Sequence, residues 1–96
     1  MSKQLKAEIG TYVPLEPDNR ELEIVLPSNP SKGDWVKFID IIRTSPESFT
    51  NFRILRNGSL IETLSEDFII DLPNFYLEFI YISRQFGWKI IDLSKS

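Results

Sequence analysis

With 96 residues, 11 Lys and Arg against 14 Asp and Glu, and a net charge of −3, the chain suits a single domain without a basic surface for nucleic acid. Cysteine and histidine are both absent, which excludes disulfides, thiolate nucleophiles, zinc–thiolate centres and proton transfer by imidazole. The 42% hydrophobic and 12% aromatic content favours a folded core over disorder, and no apolar run approaches the ~20 residues of a membrane-spanning helix.

Met1–Arg20 reads as an N-terminal arm. It has no apolar run of the signal-peptide kind, so the protein is expected to be made in the cytoplasm and kept there or assembled from there. Ile9, Thr11 and Val13 alternate briefly, but Pro14 and Pro17 interrupt regular structure, so Pro14–Arg20 is expected to be extended or looped. The arm either reaches another chain or frays.

Residues 21–96 are expected to form a single β domain. Leu22, Ile24 and Leu26 repeat every second residue, the mark of a half-buried strand. Pro27, Asn29, Pro30 and Gly33 make a turn-rich connection. Residues 35–43 fit two descriptions. Trp35, Phe38, Ile39 and Ile42 lie on one helical face behind an Asp34 cap, yet the segment is rich in β-forming residues with apolar groups on both faces, which favours a strand. Arg43–Ser48 reads as a loop. Asn57-Gly58 tolerates positive φ at both turn positions and suits a tight hairpin between Phe52–Arg56 and Ser59–Thr63. Phe68–Leu72, Phe75–Ile82 and Trp88–Leu93 complete about seven short strands, and Phe75–Ile82 is polar on its second face only at Glu78. The fold expected is mainly β, a compact antiparallel sandwich or small barrel with an extended N-terminal arm.

Chemistry is sparsely represented. Asp34, Asp40, Glu66, Asp67 and Asp71 are the carboxylates near turns, but nothing in their spacing sets two of them at a catalytic separation, and such residues usually bond the local backbone. Asp67, Asp71 and Asn74 do not form a calcium loop, so no catalytic residue, metal or cofactor is expected. Most aromatic residues belong in the core. Phe49, Tyr76 and Phe86 near loops, with Ile80 and Ile82 on an outward strand face, are the candidate interface residues. They suggest a homo-oligomer. Arg53, Arg56 and Arg84 are expected to pair with acids or cover apolar neighbours rather than form a basic site.

From about Ile24 to Ile90 the chain resembles a β module of tail-fibre and other virion structural proteins of tailed phages. The residues carrying the resemblance are Leu26-Pro27-Ser28-Asn29-Pro30, Gly33 through Asp40, Phe49 through Arg53, Arg56-Asn57-Gly58-Ser59 with Ile61, Phe68 through Asp71, and Phe79-Ile80-Tyr81 with Gly87-Trp88. The resemblance implies a non-enzymatic role in the virion, tail- or fibre-associated or as a capsid accessory, assembled in the host cytoplasm. It implies a homo-oligomer, with a trimer favoured, and other virion proteins as partners, without nucleic acid or membrane. The alternative is a phage-encoded binding module for a host protein or a cell-surface carbohydrate.

Overall fold

The computed structural model describes residues 3–15, 22–40 and 51–94. Eight strands lie among them: β1 (Lys3–Lys6), β2 (Thr11–Leu15), β3 (Leu22–Val25), β4 (Trp35–Asp40), β5 (Phe52–Leu55), β6 (Phe68–Ile70), β7 (Tyr76–Ser83) and β8 (Gly87–Asp92). They form two four-stranded sheets, one ordered β1-β3-β5-β6 and the other β2-β4-β7-β8. The mainly β sandwich expected from the alternation is therefore present, and it is not a closed barrel. Residues 35–40 are strand, not helix. Residues 41–50, including the Arg43–Ser48 segment and Phe49, lie outside the described residues.

The connectivity differs from a simple antiparallel sandwich. From β1 to β5 the chain changes sheet at every step, so each new strand lies beside the one laid down two steps earlier. Lys3 sits beside Leu22, and Leu22 beside Phe52. Thr11 sits beside Val36 in the second sheet. These three pairings, β1–β3, β2–β4 and β3–β5, are all parallel, while β4–β7, β5–β6 and β7–β8 are antiparallel. A parallel neighbour needs a crossover, and here the crossover is a strand of the facing sheet.

The expected N-terminal arm is corrected by the same observation. β1 and β2 are the edge strands of the two sheets, and Ala7 and Leu15 are buried in the core. Pro14 does not break β2, because among the described residues β2 pairs only with β4 and its other side has no ladder to satisfy.

The core lies between the sheets. Ile24, Phe52, Ile54 and Ile70 come from the first, and Leu15, Val36, Phe38, Leu77, Phe79 and Trp88 from the second. Phe79 meets Phe38 edge-on at 5.3 Å within its own sheet and Phe68 at 5.9 Å across the gap. Such edge-to-face pairs add to plain area burial, and Phe79 links both sheets in one cluster.

Asn57 and Gly58 both take positive φ, 50° and 92°, and the Ser59 N–H donates to the Arg56 carbonyl. The tight turn forms as expected, but Ser59–Thr63 is not its return strand. β6 takes the place beside β5, and residues 59–64 cross to the second sheet, where Ile61 bridges Trp88. There the chain turns again at Glu62 and Thr63, with φ 48° and 72°, a region uncommon for such side chains. The turn is held from outside: Glu62 N–H donates to Trp88 O and Thr63 N–H to Phe86 O, while the Glu62 carboxylate accepts the Ile90 N–H at 3.0 Å. In effect Glu62 covers the free edge of β8, the kind of edge that otherwise invites strand addition.

This crossing requires Gly87. Its φ is 83°, and a Cβ there would stand 1.9 Å from the Leu60 carbonyl oxygen, while the Trp88 N–H donates to that same oxygen. Gly87→Ala should lower the unfolding free energy by about 3 kcal/mol or more, since backbone and not a side-chain tip must move. Gly58→Ala, also at positive φ but with open space around it, should cost about 1 kcal/mol. Urea unfolding of the two variants measures the difference.

Candidate functional site

The outer faces of the two sheets differ in chemistry. On the first sheet one row runs Gln4, Glu23, Arg53, Ile69 by register. Gln4 Nε2 donates to Glu23 Oε1 at 3.0 Å, and Arg53 lies 3.9 Å from Glu23. The adjoining row runs Lys6, Val25, Leu55, so this face mixes paired polar groups with half-buried Val25 and Leu55 and exposed Ile69 and carries no aromatic side chain on its strands.

On the second sheet the alternation that points Val36, Phe38, Leu77 and Phe79 inward points Trp35, Lys37, Ile39, Tyr76, Glu78 and Ile80 outward. Tyr12 of β2 and Ile91 of β8 extend the same face, 56% and 36% exposed. Its middle row runs Tyr12, Lys37, Glu78, Ile91 across the four strands. Among the described residues only Lys37, Glu78 and Lys89 bring charge to it, and Lys89 is 3.7 Å from Glu62.

The aromatic groups interlock over β4. Tyr12 meets Trp35 edge-on at 6.3 Å and stacks on Tyr76 at 6.4 Å, and the Lys37 ammonium sits 4.8 Å from the Trp35 ring and 5.2 Å from the Tyr12 ring. A cation over ring faces is attracted by the ring quadrupole, so Lys37 is held against the sheet rather than extended into water. The Tyr76 hydroxyl donates to the Tyr12 hydroxyl at 3.4 Å. That bond, with the Lys37 charge next, lowers the Tyr12 pKa from the ordinary tyrosine value. The same bond raises that of Tyr76, which must give up the donated proton to ionise.

Of the candidate interface residues, Tyr76, Ile80 and Ile82 lie along β7, with Ile82 at a bulge beside β8 and 38% exposed. Phe86 is half-buried in the β7–β8 turn, its N–H bonded to Ser83 Oγ, away from the cluster. Tyr12, Trp35 and Ile91 are the residues that sequence reasoning missed. The signal for Tyr12 was present, as the polar-tipped residue between Thr11 and Val13, but the prolines obscured the strand.

The carboxylates do structural work. Asp34 accepts the Ser31 N–H, Asp67 the Arg56 N–H, and buried Asp40 the Asn74 N–H at 2.9 Å. They are spread over the fold, and no group of three or more metal-capable side chains lies together among the described residues. A polar recess of about 350 Å³ between the Pro27–Gly33 loop and the Asn57-Gly58 turn offers Arg84 and Tyr81, but the Asn57 amide donates to Leu26 O and Arg56 to Ser59 O.

Tyr12 should ionise before Tyr76, and Tyr76→Phe should move the Tyr12 transition upward by removing the donor to its phenolate. Tyrosinate absorbance titration of the wild type, Tyr76→Phe and Tyr12→Phe resolves the order. No protein-family model matches the chain, and no curated protein matches it as a relative.

Proposed function

We propose that the chain is a non-enzymatic structural protein of a phage particle, tail- or fibre-associated or a capsid accessory, which self-associates and docks on other virion proteins. The observation that carries this reading is the outer face of the second sheet, where Tyr12, Trp35, Tyr76, Ile80 and Ile91 stand around a single Lys37–Glu78 row. Aromatic and aliphatic enrichment with few charges is the composition of an interface core, not of a solvated sheet. The resemblance of the Ile24–Ile90 segment to phage virion modules supports the same role.

The alternative is a host-directed binding module. Its carbohydrate form needs ring faces open for stacking, and Lys37 lies over Trp35 and Tyr12 while Tyr76 stacks on Tyr12. Protein docking is favoured on that ground.

Mass spectrometry of purified particles should detect the chain, and Ile80→Lys should lower its particle-bound amount roughly tenfold or more while leaving the isolated fold intact, as expected for loss of an interface anchor. Particles that lack the chain altogether would overturn the proposal.

A further inference from the structure

We infer that the outer face of the second sheet pairs with the same face of a second copy about a two-fold axis. This rests on the interface role just assigned to that face and names its occupant. The argument is charge complementarity. Lys37 and Glu78 are directly opposed on neighbouring strands, β4 and β7, and no hydrogen bond or ion pair engages Glu78 among the described residues. Among the described residues they are the charges at the middle of a mainly apolar field, with Lys89 at its β8 edge.

Consider an axis running along the strands between β4 and β7. Rotation lays β4 of one copy over β7 of the other and keeps each cross-strand row in place. Lys37 then faces the partner's Glu78, and Glu78 the partner's Lys37. In the adjoining rows Trp35 faces the partner's Ile80, Ile39 faces the partner's Tyr76, and Tyr12 faces the partner's Ile91, following the register of the sheet. Lys37 and Glu78 each meet their opposite, Lys89 at the β8 edge stays beside Glu62 of its own copy, and every aromatic meets an aliphatic neighbour. Aligned sheets pack this way, ~10 Å apart and rotated by about 30°.

Size sets the strength. Four strands at ~4.8 Å spacing and about six residues at ~3.3 Å rise make a face roughly 20 Å on a side. With projecting side chains it buries on the order of 600 Å² per copy, below the ~800 Å² of a standard specific interface. The dimer is therefore expected to dissociate in the micromolar range. The reciprocal charge pairs fix register and exclude other pairings more than they add affinity.

The test is sedimentation velocity of the full chain over a concentration series. The wild type should show a monomer–dimer equilibrium. Lys37→Glu and Glu78→Lys each place like charges face to face twice, and each should raise the dissociation constant roughly tenfold or more. An equimolar mixture of the two variants restores both opposite-charge pairs, so it should form a heterodimer that neither variant forms with itself. Circular dichroism confirms that each variant is folded. A mixture that stays monomeric, or single variants that dimerise like the wild type, would overturn the inference, as would a trimer unaffected by either change. If the wild type is monomeric yet Ile80→Lys still empties the particle of this chain, the two-fold pairing fails while the docking role stands. A glycan that binds the monomer at this face would likewise sink the pairing.

Discussion

The alternation of strands between sheets, from β1 to β5, is the constraint on which the rest of the molecule depends. Because β3 must pass to β4 in the facing sheet before β5 can lie beside it, neither sheet is a contiguous piece of chain. A hairpin fold can build one sheet locally and then cover it. Here each parallel pairing closes a loop through the other layer, so the ordering entropy of both layers is met together. Such non-local pairing favours slow, all-or-none folding. Phe79, touching Phe38 on its own sheet and Phe68 opposite, and Leu60, whose carbonyl rests on Gly87, are the points where the two layers are tied.

Much of the strand content was legible because alternation reports burial on one side. Leu22-Ile24, Phe52-Ile54 and Leu77-Phe79 all face the core as their spacing implies. The Asn57-Gly58 turn was legible because few residue pairs accept two positive φ angles. What the spacing does not encode is which sheet a strand joins, since period two looks the same in either layer and in either direction. That is why an antiparallel sandwich was expected where three of the pairings are parallel. Pro14 hid β2, because a proline is a breaker in a central strand and harmless on an edge. Ser59–Thr63 looked like a strand from its composition, but its destination was decided by Gly87, 24 or more residues onward in the chain and invisible to any local window.

Residues 35–40 and 76–82 gave the most useful ambiguity. Apolar side chains on both faces favoured strands in both segments, and the inner face of each packs into the core. Among the described residues no layer lies over the outer side of β4 and β7, and that surplus is what the functional reading rests upon. The first sheet shows the contrast: Gln4, Glu23 and Arg53 satisfy one another across its strands, and no aromatic side chain stands beside them on the outer face of those strands.

The placement of the two tryptophans follows from this contrast. Trp88 is fully enclosed against Tyr81, and its indole N–H finds no acceptor among the described residues. Trp35 stands on the opposite side of the same sheet, half-exposed beneath an ammonium group. The chain consequently carries two intrinsic fluorophores in unlike surroundings, one short in emission wavelength and sensitive to melting, the other longer and sensitive to whatever comes to rest on the surface. Replacing either by phenylalanine separates the two signals, so that loss of structure and loss of company can be followed independently in one cuvette.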